Sequence, residues 1–400
     1  MHLANLVSRL TQDNGSKIVF VIADGLGGIP GDRAGSELET ANTPHLDRLA
    51  SNGITGLLEP VAPGITCGSG PSHFALFGYD PLEVDIGRGV LTALGVDFDL
   101  QPNDVAARGN FCTVDDNGIV TDRRAGRISS QRCAALAEML QQIEIKGIEV
   151  FVKPVKEHRF LLVLRGEHLG PRVSDTDPQK TGVRPIDAVA QDPASKATAD
   201  AVSTFVAQAR QVLAQQHPAN MVLMRGFDRL PTLASMSERY GLQACALAGY
   251  PMYRGIARLL GMSVPQCTAA LASEVDALAS AWKDYDFFYV HYKPTDSAGE
   301  DGDFDAKVRA IEELDRYIPA VLDLQPDVLV VTGDHSTPSK LKGHSWHPVP
   351  VVLAAASCRR DAVETFGETA CIQGGLGRMR TKHLMQVALA HAGRLRKYGA

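Results

Sequence analysis

Several features that assign proteins to common classes are missing from this 400-residue sequence. Its seven cysteines are scattered along the chain without a C-x-x-C pair, so we expect reduced thiols in a cytoplasm. No apolar run reaches the roughly 18 residues that a membrane helix needs. Residues 1–17 do not show the charged, apolar and small-residue order of a secretion signal. These absences predict a soluble cytoplasmic protein.

An excess of basic residues is also missing. The formal net charge is −6, whereas a protein that binds nucleic acid or an anionic membrane needs a basic stripe. A small anionic substrate is compatible with this charge, because a few local arginines can hold one phosphate. The glycine-rich stretch 25–28 lacks dinucleotide-binding spacing, and there is no Walker loop, so nicotinamide binding is rejected. The sequence leaves the oligomeric state open.

The sequence does contain a series of alternating strand and helix patterns. Hydrophobic residues make up 44% of the chain and the mean hydropathy is −0.06, as in a globular protein with a sizeable core. Residues 18–22 and 328–331 are continuous apolar runs, typical of central strands that are covered on both faces. Thr43-Pro44 marks the start of a helix, and residues 303–324 carry an apolar stripe at helical spacing. This order predicts a mostly parallel α/β sheet flanked by helices.

A change in the sequence pattern in the middle of the chain indicates an inserted domain. Short apolar runs surround one helical stretch there, and residues 171–195 are rich in Pro, Asp, Ser and Gly, as expected of a connection. The predicted division is a discontinuous main domain, residues 1–104 and 183–400, with an inserted α+β substrate-binding domain, residues 105–182. On this prediction the apolar run 221–224 is a strand of the main domain.

Acidic and imidazole side chains follow the predicted strands. The candidates, each placed shortly after an apolar run, are Asp24, Asp296, Asp334, His335 and His344. The carboxyl ends of parallel strands meet at one edge of a sheet, so these groups can converge. Taken singly, each is better explained as a helix cap or loop hydrogen bond. Together they indicate sites for divalent cations such as Mn²⁺, Zn²⁺ or Mg²⁺, and two ions about 4 Å apart could clamp a phosphoryl group.

Ser69 lies between two glycines, which permit close backbone approach, ahead of a helix predicted to begin near Pro71. The local sequence leaves two readings open: a metal-assisted nucleophile and an ordinary helix N-cap. Basic residues cluster in and after the inserted segment, where they either grip an anionic substrate or form a solvated surface. They are Arg108, Arg123, Arg124, Arg127, His158, Arg159, Arg172, Arg225 and Arg254.

An ordered series of motifs covers nearly the whole chain. It includes Ala23-Asp24-Gly25, Gly68-Ser69 with His73, Asp122-Arg123-Arg124-Ala125-Gly126-Arg127, Glu157-His158-Arg159 and Asp334-His335-Ser336-Thr337-Pro338. In these motifs the chain resembles the archaeal-type cofactor-independent (2,3-bisphosphoglycerate-independent) phosphoglycerate mutases of the alkaline phosphatase superfamily. The resemblance implies an alkaline-phosphatase-like fold and interconversion of 3-phosphoglycerate and 2-phosphoglycerate through a phosphoserine.

The same resemblance assigns roles to individual residues. It makes Ser69 the nucleophile and implies two divalent ions, with Mn²⁺ expected first and Mg²⁺, Zn²⁺ or Co²⁺ as alternatives. The implied metal ligands are Asp24, Ser69, Asp334 and His335 for one ion, and Asp296 and His344 for the other. We expect Glu300, which stands where the family has a histidine ligand, to bind the second ion as well. The implied substrate-binding residues are His158, Arg123 and Arg159. We expect Arg127, Arg225 and Lys293 to bind the substrate as well.

The chain departs from the family pattern close to the expected reaction centre. Glu300 replaces a histidine ligand, Arg225-Gly226-Phe227 replaces a loop of small residues, and His347 could restore the missing imidazole. These departures leave two alternatives beside the mutase. One is a phosphotransferase or phosphatase for another small phosphorylated, phosphonate or amino-acid substrate, such as a homoserine kinase. The other is a catalytically silent relative that keeps one metal.

Overall fold

The computed structural model of the protein describes residues 3–31, 33–84 and 86–399. They form two compact units, Met1–Asp85 with Leu233–Ala400, and Ile86–Thr232. None of the described helices is both long enough and apolar enough to cross a membrane.

Strands and helices alternate along the chain. The strands are β1 (Ile18–Ala23), β2 (Ile54–Glu59), β3 (Val105–Val114), β4 (Val120–Asp122), β5 (Glu149–Lys156), β6 (Arg159–Arg165), β7 (Met221–Asp228), β8 (Ala244–Leu247), β9 (Phe287–Tyr292), β10 (Val328–Thr332), β11 (Val349–Ala355) and β12 (Gly377–Arg380). The helices are α1 (Leu3–Leu10), α2 (Glu37–Thr40), α3 (Pro44–Asn52), α4 (Ser69–Leu76), α5 (Arg88–Gly95), α6 (Ser130–Leu140), α7 (Lys196–Leu213), α8 (Met236–Tyr240), α9 (Pro251–Leu259), α10 (Leu271–Ala281), α11 (Pro294–Asp301), α12 (Phe304–Asp323), α13 (Glu368–Cys371) and α14 (Leu384–His391).

The first unit is built on a seven-stranded sheet in the order β12-β2-β11-β10-β1-β9-β8. β1 lies in parallel between β10 and β9, and β9 also pairs in parallel with β8. β11 is antiparallel to both of its neighbours, β10 and β2. The fold-class prediction of a mostly parallel α/β sheet is therefore confirmed.

The three central strands are buried at every position, which explains their unbroken apolar sequences. α3 and α12 pack on this sheet. Pro44 occupies the first turn of α3, as predicted, although Thr43 makes no side-chain capping bond. Ile311, Leu314 and Ile318 of α12 are each at most 1% exposed and belong to the sheet's core. The predicted apolar stripe therefore faces the sheet, except at its end, where Leu322 was expected to be buried and is 40% exposed.

The second unit is a five-stranded antiparallel sheet with its own core. β3 pairs with β4, β6 and β7, and β5 pairs with β6. α6 and α7 contribute buried residues such as Leu136 and Phe205 to the same core as Phe111 and Phe160.

This unit contains more of the chain than the inserted domain predicted from the sequence: it runs from Ile86 to Thr232, and the prediction was 105–182. Residues 221–224, predicted as a strand of the main domain, belong to β7 and pair with β3 in the second unit. α7 buries its apolar face in that unit as well. The polar connection at residues 171–195 was therefore wrongly taken as the return to the main domain, because a change of composition does not show which sheet the next strand joins.

Candidate metal centre

Three adjacent parallel strands end at the same edge of the first unit's sheet. Asp24 directly follows β1, Asp334 comes two residues after β10, and Asp296 lies in the first turn of α11, after β9. His335 follows Asp334, and His344 lies in the connection from β10 to β11. These residues are spread over more than 300 positions of the sequence. They come together because β10, β1 and β9 are neighbours in the sheet.

One group of candidate ligands is completely buried. Ligand atoms of Asp24, Asp334 and His335 all lie within 4.8 Å of one another. His335 Nε2 is 3.2 Å from Asp334 Oδ2 and 3.5 Å from Asp24 Oδ1. Ser69 Oγ is 3.1 Å from the same Nε2 atom. These are the four side chains expected to hold the first ion.

A second group shares His335 with the first. Ligand atoms of Asp296, His335 and His344 also lie within 4.8 Å of one another. His344 Nε2 is 3.6 Å from Asp296 Oδ1 and 3.8 Å from Glu300 Oε1. The Glu300 side chain is 56% exposed, so this end of the site is open to solvent.

The hydrogen bonds of the two histidines fix which ring nitrogen carries the proton. The Thr337 hydroxyl donates its one proton to Asp296 Oδ1 at 2.7 Å, so it accepts from Nδ1–H of His335 at 3.0 Å. His344 Nδ1–H donates to the Cys67 carbonyl at 2.8 Å. Each Nε2 lone pair is therefore left for the site. Metal-binding histidines show this arrangement, with the second nitrogen bonded to an acceptor.

Of the two carboxylate oxygens of Asp24, only one accepts hydrogen bonds from side chains of the described residues. Its Oδ2 atom accepts hydrogen bonds from His291 at 2.9 Å, Lys293 at 3.1 Å and the Tyr253 hydroxyl. Oδ1, which faces His335, is buried and has no hydrogen-bond partner within the described chain. A buried carboxylate oxygen without a partner is costly, and a cation removes that cost. The donor set, the tautomers and this atom all fit a divalent cation.

Charge compensation keeps the buried carboxylates ionised. Burial raises the pKa of Asp24, but the His291 hydrogen bond and the Lys293 charge outweigh it and the pKa is lowered well below its usual range. Lys293 Nζ also donates to Asp296 Oδ2 at 2.6 Å. Burial lowers the pKa of Lys293, but Asp24 and Asp296 more than offset this and raise it. The site thus holds charged carboxylates without exposing them to water.

A buried lysine holds the two loops of the site together. Lys307 Nζ, on α12, donates to the carbonyl of Gly27 at 3.0 Å and to that of Thr337 at 2.9 Å. Gly27 follows Asp24 in one loop, and Thr337 follows His335 in the other. The lysine therefore fixes the backbone on which both ligand groups depend.

The candidate nucleophile is the first residue of a helix. Ser69 begins α4, with Gly68 as N-cap, whereas the sequence predicted a start near Pro71. The hydroxyl of Ser72 donates to Asp334 Oδ2, and His73 Nδ1–H donates to the Ser69 carbonyl. Burial raises the pKa of the neighbouring Cys67 thiol to about 12, so this thiol is a poor nucleophile.

Sequence reasoning missed His291, Tyr253 and Thr337. A signal for His291 was present, because a histidine in an otherwise apolar, fully buried strand needs a polar partner. Tyr253 and Thr337 carried no comparable local signal. The hypothesis that His347 restores the missing imidazole is not supported: among the described residues, His347 belongs to neither candidate ligand group, and its ring stacks on Trp346.

The comparisons with known proteins agree with this geometry. A family model described as 2,3-bisphosphoglycerate-independent phosphoglycerate mutase matches residues 50–220. The chain is 48% identical to a curated protein of Thermus thermophilus over the full length of both, and 46% identical to one of Aquifex aeolicus over 99% of this chain and all of the relative. Both are named "Probable 2,3-bisphosphoglycerate-independent phosphoglycerate mutase". The chain belongs to this family.

Two solved structures are similar to this member of the mutase family. The PH0037 protein of Pyrococcus horikoshii has a TM-score of 0.83 and 30% identity, covering 96% of this chain and 99% of its own. The cofactor-independent phosphoglycerate mutase of Thermoplasma acidophilum has a TM-score of 0.73 and 29% identity, covering 94% and 100%. The predicted family resemblance is therefore confirmed over nearly the whole chain.

The remaining predicted site residues lie in the second unit. Arg159 begins β6 next to His158, Arg225 is on β7, and Arg127 is exposed in the 3₁₀ helix at residues 125–127. Arg123 donates from two nitrogens to Asp177, at 2.9 and 2.6 Å. Burial, with the Arg159 charge, lowers the pKa of His158 to about 4, so this imidazole is neutral at pH 7.

Proposed function

We propose that this protein is a metal-dependent phosphoglycerate mutase that interconverts 3-phosphoglycerate and 2-phosphoglycerate through a phosphoserine on Ser69. Family membership supports the substrate class. The observation that carries the chemistry is the position of Ser69 Oγ, 3.1 Å from Nε2 of His335, the residue that both candidate ligand groups share.

The ligands proposed for the two ions are those expected from the sequence. Asp24, Ser69, Asp334 and His335 would hold one ion, and Asp296, Glu300 and His344 would hold the other, with Mn²⁺ as the first candidate. When bound, such ions supply positive charge that stabilises the serine oxygen and the phosphoryl oxygens. The carboxylates of this chain match the ligand preferences of Mn²⁺ and Mg²⁺, and its imidazoles suit Zn²⁺ and other transition-metal ions.

Ser69 performs two phosphoryl transfers in this proposal. In the first, a bond forms between Ser69 Oγ and phosphorus while the bond from phosphorus to the 3-oxygen of the substrate breaks. The serine proton ends on the released 3-oxygen, giving glycerate and phosphoserine. In the second, the 2-hydroxyl of glycerate attacks the same phosphorus and Ser69 regains its proton. The positioning of one hydroxyl therefore serves both half-reactions.

Charged groups around Ser69 and in the second unit are proposed to bind the substrate. Lys293 is partly exposed and carries an ammonium beside Asp24 and Asp296. In the second unit the proposed residues are His158, Arg123, Arg159, Arg127 and Arg225. Of these, Arg123 is paired with Asp177, and this carboxylate holds its guanidinium in place.

The direct test measures both the reaction and its intermediate. Purified protein should convert 3-phosphoglycerate in an enolase-coupled assay without 2,3-bisphosphoglycerate, with Mn²⁺, Mg²⁺, Zn²⁺ or Co²⁺ supplied in turn. Mass spectrometry after brief exposure to substrate should show one added phosphoryl group on the Ser69 peptide. Ser69→Ala should show neither.

Ser72→Ala is the matched control, because it removes a neighbouring hydroxyl that bonds Asp334 but is not the proposed nucleophile. Phosphoryl transfer to Ser69 should persist in that variant. If the wild-type protein turns over 3-phosphoglycerate no faster than Ser69→Ala with any of the metals, the proposed function is rejected.

A further inference from the structure

A cavity of about 500 Å³ lies in the second unit, lined by α7, by the turn that joins β3 to β4, and by the loop at residues 184–188. A cavity of this volume suits a small organic molecule. Among the described residues that line it, none is proposed to bind a metal ion or the phosphorylated substrate. The cavity is therefore a candidate site for a different ligand.

The floor of this cavity is apolar. Val114 of β3 and Met221 of β7 line it and are 8% and 7% exposed. They belong to a small hydrophobic core that is separate from the main core of the unit, and Val206 of α7 packs against it. Ile186, on the loop, also lines the cavity and is 50% exposed. Covering this apolar surface is favourable, so a ligand that fits has an apolar group.

Hydrogen bonds hold the loop in place. The Ile186 N–H donates to the Thr176 carbonyl at 2.9 Å, and the Thr176 hydroxyl accepts from the N–H of Met224 on β7 at 2.8 Å. At the end of the loop, the Ser174 N–H donates to the Val189 carbonyl, and the Val189 N–H donates to Ser174 Oγ, both at 2.9 Å. The wall of the cavity is therefore formed before a ligand binds, as in most small-molecule sites.

Charged side chains of both signs line the same cavity. They are Arg184, Arg210, Asp116 and Asp187. None of the four has a side-chain hydrogen bond or an ion pair with another described residue. Arg165 in the same unit, by contrast, donates two hydrogen bonds to Asp104. Two positive and two negative groups are therefore left to meet a ligand.

Each side of the cavity carries one charge of each sign. Arg210 lies beside the β3–β4 turn, since a Cβ atom at Gly118 would be 3.9 Å from one of its guanidinium nitrogens, and Asp116 belongs to that turn. Arg184 and Asp187 lie three residues apart on the loop. The aspartates would repel a purely anionic ligand, and the arginines would repel a purely cationic one. A ligand that carries both charges is favoured on both sides.

We propose that this cavity binds a free amino acid with a large apolar side chain. The arginines bind its carboxylate, an aspartate binds its ammonium group, and its side chain covers Val114 and Met221. This site does not depend on the mutase function proposed above, because it shares no residue with the metal centre or with the proposed substrate-binding groups.

The test is calorimetric titration of the full-length protein with L-phenylalanine and L-leucine. Two analogues separate the charges: 3-phenylpropionate lacks the ammonium group, and 2-phenylethylamine lacks the carboxylate. L-phenylalanine should bind about tenfold or more tightly than either analogue, since each analogue loses a hydrogen bond between charged groups.

Two variants, each with a matched control, locate the binding. Arg210→Met should weaken L-phenylalanine binding about tenfold, whereas Arg172→Met, the same charge change on a side chain that is 69% exposed, should not. Ala207→Trp places a large side chain in the cavity from an exposed position of α7 and should abolish detectable binding. Thr204→Trp is its control, exposed on the same helix but outside the cavity.

Thermal unfolding separates binding from a structural role. Arg210 has no partner among the described residues, so Arg210→Met should unfold at the temperature of the wild type when no amino acid is present. L-phenylalanine should raise the unfolding temperature of the wild type more than that of this variant.

Three results would overturn the proposal. If neither amino acid binds the wild type at millimolar concentration, the site is rejected. If 3-phenylpropionate or 2-phenylethylamine binds as tightly as L-phenylalanine, the cavity does not recognise a zwitterion. If Arg210→Met or Ala207→Trp binds L-phenylalanine as tightly as its control, the amino acid binds elsewhere.

Discussion

Each unit brings like charges close together, carboxylates in the first unit and arginines in the second. In the first, Asp24, Asp334 and Asp296 meet at the ends of parallel strands; in the second, Arg108 and Arg225 meet across antiparallel strands. Each set repels itself, and each leaves a buried polar atom without a partner in the described chain. The difference is in compensation: Lys293 and His291 bond to the carboxylates, whereas the carboxylate oxygens described near Arg225 Nε are 3.6 and 3.7 Å away. Like charges held together by a fold indicate a ligand of the opposite sign.

The largest expected effect comes from removing a charge in the carboxylate group. Asp24→Asn should reduce the bound metal and lower kcat by about 10³-fold or more, since a metal supplies several kcal/mol of transition-state stabilisation. Metal content by mass spectrometry and the enolase-coupled rate test this. Asp305→Asn, an exposed carboxylate paired with Arg33, should change neither. Unchanged metal content in Asp24→Asn would break the comparison between the units.

A smaller effect is expected from the hydroxyl that sets the His335 tautomer. Thr337→Val keeps the shape but loses the hydrogen bonds to Asp296 and His335. Loss of such a supporting bond should weaken metal affinity by about 10- to 100-fold. Thr332→Val is the control, because the Thr332 hydroxyl donates to the Pro350 carbonyl at 2.7 Å and does not touch a ligand. Equal metal affinities in the two variants would contradict the tautomer assignment.

Glu300 should control which metal binds rather than whether one binds. Glu300→His replaces a hard oxygen ligand with an imidazole, which should shift the ratio of bound Zn²⁺ to Mn²⁺ about tenfold towards Zn²⁺. Equilibrium dialysis against an equimolar mixture measures the ratio. Glu300→Gln removes the charge without adding an imidazole, so a shift of the same size there would show that charge alone is responsible.

The smallest effect is expected at Glu274, a buried carboxyl group outside the two groups of like charges. Burial raises the pKa of Glu274 to about 9, so the folded state keeps its proton to higher pH than the unfolded state does. Stability contributed by this group is therefore lost as pH rises from about 4.5 to about 9. Glu274→Gln is always neutral and should unfold about 1 to 3 °C higher than the wild type near pH 8, with less difference near pH 5. A difference that does not grow with pH would contradict this assignment.

Local patterns in the sequence were enough to predict much of the fold. The continuous apolar runs at residues 18–22 and 328–331 predicted central strands, and the stripe of α12 predicted its buried face. The boundary of the second unit was not predictable in this way, because the first four residues of β7 are as apolar as a strand of the first sheet. Only its pairing with β3 shows where it belongs.

The sequence by itself determined which groups are proposed to carry the chemistry. Motifs and the residue types after each strand were sufficient to select Asp24, Ser69, Asp334 and His335. Only the tertiary structure decided that Thr337 fixes the His335 tautomer and that Arg108 faces Arg225, because hydrogen-bond partners and cross-strand neighbours depend on strand pairing between distant parts of the chain.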